Sequence, residues 1–269
     1  MPFSDLALAK RLERAEGHAC AQYAEARRRL FPASGAEWME CGGAYAVFDQ
    51  VESPVTQTFG LGIFEDLTPA ALDAIEGFFK QRGAPVLHEI CPFAGVAALD
   101  LLCRRHYRPV ELSNVLYEPI AHPGSEQPSS AAKARSIGPE EAHLWTEIST
   151  RGWTHEHPEL HDFLLQVGAI SSARADSVCF LAELDGKAGA AAVLCIQGGV
   201  ALFAGAATVP ELRHRGLQTA LLHERMRYAF THGCDLAMLV AEPGSNSHRN
   251  AERNGFRVAY TRTKWRLFP

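Results

Sequence analysis

The 269-residue sequence lacks the long apolar runs that mark membrane-spanning or secreted chains. No segment approaches the roughly 18 consecutive apolar residues of a membrane span, and none near the first methionine resembles a signal sequence. Basic runs and tails are also missing. The 26 basic and 31 acidic side chains give a formal net charge of -5. These absences argue against a nucleic acid or a membrane as the partner, and they predict a cytoplasmic protein.

Paired cysteines are missing as well. Seven cysteines are scattered through the chain, an odd number, and none forms a Cys-x-x-Cys pair. This usage predicts reduced thiols, most of them small core residues. Hydrophobic residues make up 47% of the sequence, and the length suffices for one large or two modest domains.

The most informative stretch begins as an apolar, strand-like run that ends at Val209. A turn with two arginines, Arg213 and Arg215, leads to Gly216, and helical spacing of apolar residues starts at Leu217. The first amides of a helix lack intrahelical partners and lie at the positive end of its dipole. A glycine admits close approach to the backbone, and arginines add charged donors. This pattern predicts a phosphate site.

The first half of the sequence predicts alternating helices and strands. Ser4 is the expected N-cap of a long helix over residues 4–29, and Gly42-Gly43 predicts a hairpin turn. Thr68-Pro69 opens a second helix, which Gly83 closes. The predicted strands cover residues 37–41, 44–48, 55–64, 85–90 and 109–117, and a third helix covers residues 94–105.

The second half follows the same order of helix, meander, helix, strand, helix and strand. Asp185-Gly186 and Gly198-Gly199 predict the turns of its meander. The predicted strands cover residues 133–137, 177–184, 187–196, 200–209, 234–241 and 257–267, and the predicted helices cover residues 139–150, 158–171, 217–232 and 247–253.

This internal repeat indicates two copies of one α+β fold. Residues 1–120 form the first predicted domain and residues 132–269 the second. Residues 121–131, which contain two prolines, a glycine and three serines, have the composition of a linker.

Two motifs resemble signatures of the GNAT superfamily of CoA-dependent N-acetyltransferases. The run from Arg213 to Gln218 is similar to its motif A, Arg/Gln-x-x-Gly-x-Gly/Ala, with Gln218 in place of the last small residue. Gly255-Phe256 is similar to the Gly-Phe that follows the last helix of the family. The resemblance covers residues 132–269 by motif and residues 1–120 by element order alone. It implies two tandem GNAT-like mixed β-sheet domains flanked by helices.

The resemblance also implies acetyl-CoA as cosubstrate, bound where two strands of the second copy separate. The strand over residues 200–209 would then present unpaired backbone groups, and an amide near Thr208 or Val209 would polarise the thioester carbonyl. The implied CoA-binding residues are Ala207, Thr208, Val209, Arg213, His214, Arg215, Gly216, Leu217, Gln218, Thr219 and Asn250.

The catalytic groups are less clearly marked. Glu242 follows the predicted strand at residues 234–241 and is a candidate general base, with a solvated loop carboxylate as the alternative. Tyr260 is a second candidate, with packing as the alternative. Ala251 stands where the family often carries a tyrosine that protonates the thiolate, so water or Ser247 would take that role, or the site would bind CoA without turnover.

The first copy carries Glu65 and Asp66 where the second has its arginines. Two carboxylates would repel a diphosphate, so the first copy is expected to be degenerate and only the second to bind CoA. The segment from Trp153 to His161 contains three histidines, but their spacing, interrupted by Pro158, matches no zinc pattern, and no metal is predicted. A loop that contacts the substrate and a solvated loop are the alternatives.

The resulting hypothesis is an N-acetyltransferase that moves an acetyl group from acetyl-CoA to the amine of a small-molecule acceptor by direct attack. A non-catalytic acyl-CoA-binding protein is the alternative, and a structural scaffold with a coincidental motif is a third reading. The helix over residues 4–29 could pack inside the protein or mediate a homodimer, and the sequence leaves both open.

Overall fold

A computed structural model describes residues 4–121, 131–155 and 158–269. The chain divides into two compact units, one comprising Met1–Glu118 with Val240–Pro269 and the other Pro119–Leu239. Nearly all of the predicted linker at 121–131 lies outside the described residues, so the domain boundary stays a prediction. No helix among the described residues is both long and apolar enough to cross a membrane.

The elements follow the predicted order. In chain order, the helices are α1 (Leu6–Leu30), α2 (Pro69–Lys80), α3 (Gly95–Arg104), α4 (Ala142–Thr154), α5 (His161–Ala173), α6 (Leu217–Thr231) and α7 (Asn246–Arg253). The strands are β1 (Glu37–Cys41), β2 (Ala44–Phe48), β3 (Gln57–Phe59), β4 (Leu87–Ile90), β5 (Tyr107–Pro119), β6 (Lys133–Ser136), β7 (Ser177–Leu184), β8 (Lys187–Gln197), β9 (Val200–Thr208), β10 (Leu236–Ala241) and β11 (Arg257–Leu267).

In the first unit the strands pair in the order β1-β2-β3-β4-β11-β5. Strand β3 runs parallel to β4, and the other pairs in this sheet are antiparallel. The last strand of the chain, β11, therefore lies between β4 and β5. Residues 257–267, predicted to belong to the second copy, lie instead in the sheet of the first unit, where they pair with β5 from Arg257 to Leu267.

Two local expectations for the first unit are wrong. Helix α1 is capped by Asp5, whose Oδ1 accepts from the Leu8 amide at 2.8 Å, whereas the hydroxyl of Ser4 donates to the Ala259 carbonyl. The strand predicted over residues 55–64 ends at Phe59, because Gly60 and Gly62 have positive backbone φ and the chain turns there. The hairpin at Gly42-Gly43 is confirmed, with φ of 56° and 75°.

In the second unit the strands pair in the order β6-β7-β8-β9-β10. The meander β7-β8-β9 is antiparallel, and its first turn has positive φ at Asp185 and Gly186, as a two-residue hairpin requires. Helix α4 anchors to this sheet through the buried Trp145, whose indole N–H donates to the Phe180 carbonyl at 3.0 Å and the Ala192 carbonyl at 3.2 Å. The meander therefore supplies a fixed platform for the end of β9.

Candidate functional site

The parallel pairing of β9 with β10 is short. It joins Val200, Ala201 and Leu202 to Leu236, Ala237 and Met238, and then stops. Within the described part of the chain, residues 203–208 of β9 have no strand partner on that side. This opening agrees with the separation of strands that the family resemblance implies, and it leaves one edge of β9 available to a ligand.

A β-bulge lies in β9 beside the opening. Gly205 has φ of 57°, and the register with β8 shifts between Ala191 and Val193, so that two residues of β9 face one of β8. The buried Arg225 of α6 donates through Nη1 to the Val193 carbonyl at 3.2 Å, next to the bulge. Burial lowers the pKa of Arg225 to about 9.

The backbone of Thr208 faces the open edge. The Val209 amide donates to the Gly189 carbonyl at 2.9 Å, while Thr208 pairs with Ala190. In an antiparallel ladder this makes Thr208 and Ala190 a non-hydrogen-bonded pair, so the N–H and C=O of Thr208 point away from β8. The expectation that Ala207 and Val209 also present unpaired groups is therefore wrong, since both are directed at β8. Of the two amides expected near the thioester carbonyl, only that of Thr208 faces the open edge.

Two side chains of the motif hold Thr208 in place. Arg213 donates through Nε to the Thr208 carbonyl at 3.4 Å and through Nη2 to the Gly152 carbonyl of α4 at 3.2 Å. Gln218 donates through Nε2 to the Thr208 hydroxyl at 2.7 Å. The side chain that replaces the small residue of motif A thus ties the start of α6 to the end of β9.

Helix α4 lies against the same point. Gly152 is buried, and a Cβ there would lie 2.6 Å from the Ala207 Cβ and 3.0 Å from the Thr208 amide nitrogen. Only a residue without a side chain lets the helix approach the backbone this closely. The end of β9 is consequently lined by backbone atoms.

The turn before α6 presents free amides. His214 and Gly216 have positive φ, 60° and 84°, and α6 starts at Leu217 without a side-chain cap. Ala220 is the first residue whose amide bonds within the helix, to the Gly216 carbonyl at 3.0 Å. The remaining amides have no acceptor among the described residues, and they belong to His214, Arg215, Gly216, Leu217, Gln218 and Thr219.

This arrangement fits an anion such as a diphosphate. Gly216 is exposed and has no Cβ to cover the amides, and the exposed Arg215 has no acidic partner among the described residues. Glu211, the acidic residue of the turn, lies 3.6 Å from the guanidinium of Arg151. One expectation is corrected, because the amide of Arg213 donates to the Pro210 carbonyl at 3.3 Å and is not available to a ligand.

The other predicted site residues belong to the first unit. Glu242 is exposed directly after β10. The side-chain amide of Asn254 donates to the backbone carbonyl of Asn250 at 2.7 Å. Ala251 is buried, and Ser247 is exposed on α7. No phenol therefore stands at the position of the family's general acid.

Tyr260 is part of a buried polar cluster. Its hydroxyl donates to Glu13 Oε1 at 2.9 Å, and its side chain is buried, so the hydroxyl does not face an open cleft. Burial, and next the charge of Glu13, raise the pKa of Tyr260. These contacts favour the packing alternative over a catalytic role.

The centre of that cluster is Arg262, a residue that no sequence motif marks. Its guanidinium bonds both carboxylate oxygens of Glu16, at 2.5 and 2.8 Å, and lies 3.1 Å from Glu89 and 3.5 Å from Glu13. Burial raises the pKa of Glu13 to about 7, although Arg262 opposes the shift. The sequence feature that could have revealed this cluster is the alternation of Tyr260, Arg262 and Lys264, which places the three side chains on one face of β11.

The first unit does not repeat the anion site. Glu65 and Asp66 are exposed before α2, and the guanidinium of Arg14 covers the ring of Phe64 at 4.1 Å. Helix α2 is capped by the Thr68 side chain, which accepts from the Ala71 amide at 3.2 Å. A capped helix with two neighbouring carboxylates offers little to a diphosphate.

The histidine-rich segment can be followed only in part. Glu156 and His157 lie outside the described residues, and His161 pairs with Asp162 at 3.2 Å. In the part of the chain that the structure describes, no three His, Cys, Asp or Glu side chains are grouped as metal ligands. Trp153 is 45% exposed.

Comparison with known proteins identifies the fold. Residues 142–256 match the family model described as Acetyltransferase (GNAT) family. A GCN5-related N-acetyltransferase from Kribbella flavida is similar in structure over 93% of this chain and 96% of its own, with a TM-score of 0.64 and 19% identity. No curated protein matches the chain in sequence.

Two further solved structures have the same fold. A GCN5-related N-acetyltransferase from Sphaerobacter thermophilus has a TM-score of 0.55 and 18% identity, and the match covers 84% of this chain and 77% of that one. A tandem GNAT protein from the clavulanic acid biosynthesis pathway has a TM-score of 0.54 and 14% identity over 84% and 79%. The chain thus has the α+β fold of these proteins over most of its length, and residues 142–256 match the model of the acetyltransferase (GNAT) family.

Proposed function

We propose that the protein is an N-acetyltransferase that moves an acetyl group from acetyl-CoA to the amine of a small-molecule acceptor by direct attack. The observation that carries the proposal is the conjunction of the open edge of β9 with the uncapped N-terminus of α6. An extended, amide-bearing ligand with a diphosphate at one end matches both features.

Each feature has a distinct role in this proposal. The amides from His214 to Thr219 and the guanidinium of Arg215 bind the diphosphate, and the open edge of β9 pairs with the pantetheine amides. The Thr208 amide donates to the carbonyl oxygen of the acetyl group as negative charge develops there. Donors of this type contribute about 10²–10³ in rate. Acetyl-CoA, when bound, supplies the acetyl group as an activated thioester.

The acceptor must lose a proton when it becomes an amide. Glu242 is the proposed base. A carboxylate that receives this proton contributes about 10²–10⁴ in rate. The leaving thiolate takes a proton from water or from the hydroxyl of Ser247. Because Glu65 and Asp66 stand beside a capped helix in the first unit, acetyl-CoA binds only to the second copy in this scheme.

The test is a calorimetric titration of acetyl-CoA into the wild type and into Gly216→Glu, which adds a negative charge to the amide cluster. Gly233→Glu is the matched control, since Gly233 lies at the other end of α6 with a similar φ of 75° and open space around it. Arg215→Glu repeats the charge change at a residue without backbone strain.

We expect binding at micromolar concentrations in the wild type and in Gly233→Glu, and a loss of at least about tenfold in the other two variants, equivalent to about 1.4 kcal/mol. Equal binding in all four proteins would place the site elsewhere. Absence of binding in the wild type would contradict the proposal.

One observation favours a second function, a non-catalytic acyl-CoA-binding protein. The position of the usual general acid carries the buried Ala251. Release of free thiol from acetyl-CoA in the presence of a panel of primary amines separates the two functions. Tight binding with no amine-dependent thiol release would favour the binding protein.

A further inference from the structure

Arg225 of α6 is a buried cation without an acidic partner among the described residues. It is 4% exposed. Its Nε donates to the Leu221 carbonyl of the same helix at 3.2 Å, and its Nη1 donates to the Val193 carbonyl of β8 at 3.2 Å. The guanidinium also lies 4.6 Å from the centre of the Phe203 ring of β9. Burial of a charge without an opposite charge is unfavourable, so stability alone does not account for an arginine at this position.

The carbonyl of Val193 points towards the bulge. Because Thr208 and Ala190 form a non-hydrogen-bonded pair, alternate residues of β8 direct their backbone groups at β9, and these include Ala191 and Val193. The register shift of β9 lies between the partners of these two residues. A bulge disrupts the ladder locally and leaves an extra residue unpaired. Arg225 supplies a donor to the carbonyl of β8 at this point.

The bulge decides which amides of β9 face the open edge. The direction of the backbone groups alternates with a period of two along a strand, so one extra residue reverses the direction of every later amide. Gly205 provides the positive φ of 57°, and beyond it the Thr208 amide faces the opening. Without the extra residue, the Thr208 amide would be directed at β8 and that of Val209 at the opening.

We infer that Arg225 is a positioning residue for the proposed acetyl transfer. It holds the bulge from two strands, through the Val193 carbonyl of β8 and the Phe203 ring of β9, and so keeps the Thr208 amide directed at the open edge. The inference rests on the proposed function, in which this amide donates to the acetyl carbonyl. Arg225 acts through the backbone of β9 and makes no contact with the cosubstrate in this scheme.

The position of Arg225 separates binding from turnover. The amides that would hold the diphosphate extend from His214 to Thr219, whereas Arg225 lies further along α6. Loss of Arg225 should therefore change the Thr208 amide and the rate of acetyl transfer while CoA still binds. A residue needed only for stability would change the unfolding transition and leave the amide and the rate of the folded enzyme unaltered.

The experiment compares Arg225→Met, which removes the donors, with Arg225→Lys, which keeps a cationic donor. Arg227→Met is the matched control, because Arg227 belongs to the same helix but is exposed and pairs with Glu224. Gly205→Ala perturbs the bulge from β9 itself. Alanine disfavours the positive φ at this position, although a Cβ there would lie no closer than 3.5 Å to Val193.

Each variant is first checked for folding by thermal unfolding. The amide chemical shifts of Gly205 and Thr208 are then read from nitrogen–proton NMR spectra of the protein without ligand. The Kd values of CoA and of acetyl-CoA are measured by calorimetry. The kcat is measured as thiol release with the most active amine of the primary-amine panel, at saturating acetyl-CoA.

We expect Arg225→Met and Gly205→Ala to shift both amides and to lower kcat by at least about tenfold, with the Kd of CoA within about threefold of the wild-type value. Arg225→Lys should restore most of the rate, and Arg227→Met should match the wild type. An unchanged Thr208 amide or an unchanged kcat in folded Arg225→Met would overturn the inference. A loss of CoA affinity as large as the loss of rate would also overturn it, because it would show a general disruption of the site.

Failure of the inference can be told apart from failure of the proposed function. If Arg225→Met acetylates amines at the wild-type rate, the positioning role is wrong and the acetyltransferase remains. If the wild type does not bind acetyl-CoA, the proposed function is wrong, and the amide shifts of Gly205 and Thr208 still decide whether Arg225 holds the bulge. If Arg225→Met does not fold, Arg225→Gln, which keeps a shorter polar side chain, carries the same expectations.

Discussion

Replacement of Arg262 by methionine tests the buried cluster of the first unit. The side chain is 2% exposed, and its guanidinium lies within 3.5 Å of carboxylate oxygens of Glu13, Glu16 and Glu89. Methionine keeps most of the volume and removes the charge. Three carboxylates then lose their shared cation, while Lys264 still lies 3.5 Å from Glu89.

The expected loss is about 3–5 kcal/mol in the free energy of unfolding at pH 8, because the removal of one partner leaves buried charge without compensation. The loss should be smaller at pH 6. Arg262 lowers the pKa of both Glu13 and Glu89, so in its absence both pKa values rise and the folded protein takes up protons that the unfolded chain does not. Stability of the variant therefore falls as the pH rises.

The wild type has a weaker dependence of the same sign. The pKa of Glu13 is raised from 4.5 to about 7, so the stability that this proton uptake contributes is complete below pH 4.5 and is lost as the pH rises through 7.

The measurement is urea unfolding at pH 6 and pH 8, followed by tryptophan fluorescence. The control is Arg266→Met, an exposed arginine of the same strand, for which a change within about 0.5 kcal/mol is expected. A deficit no larger than the control's, or one equal at both pH values, would refute the reasoning.

Three further variants test the site. Gly152→Val should clash with the backbone at Thr208, and so lower the free energy of unfolding by about 1–3 kcal/mol and weaken acetyl-CoA binding. Unchanged thermal unfolding and unchanged affinity would contradict the close approach of α4. Gln218→Ala removes one hydrogen bond to Thr208 and should cost about 0.5–1.5 kcal/mol while acetyl-CoA still binds by calorimetry, whereas complete loss of binding would make Gln218 a ligand contact. Tyr260→Phe removes the hydrogen bond to Glu13 Oε1 and should cost about 1–3 kcal/mol with little change in the acetylation rate. A hundredfold slower enzyme that is still folded would restore a catalytic role for the phenol.

Much of the fold could be predicted because its signals are local. The turns at Gly42-Gly43 and Asp185-Gly186, the cap at Thr68 and the start of α6 after Gly216 depend on φ angles and short hydrogen bonds that neighbouring residues fix. The bounds of β1, β2, β7 and β11 agree with the predicted ones for the same reason.

The site was predictable in part. The amides at the start of α6 follow from the strand–turn–helix pattern, and the end of the β9–β10 ladder was expected from the resemblance. Which backbone groups of β9 are open could not be predicted, because a single-residue bulge at Gly205 changes the side to which each amide points. For that reason Thr208 remains a candidate oxyanion donor and Val209 does not.

The sequence by itself determined the order of the elements and the turn before α6, since each depends on residues close together in the chain. Only the tertiary structure decided the partners of β11 and the burial of Arg262 among Glu13, Glu16 and Glu89. These features join residues separated by up to 249 positions (Glu13 to Arg262). Strand order and buried charge pairs depend on which distant segments meet, and periodicity and propensity carry no information about that choice.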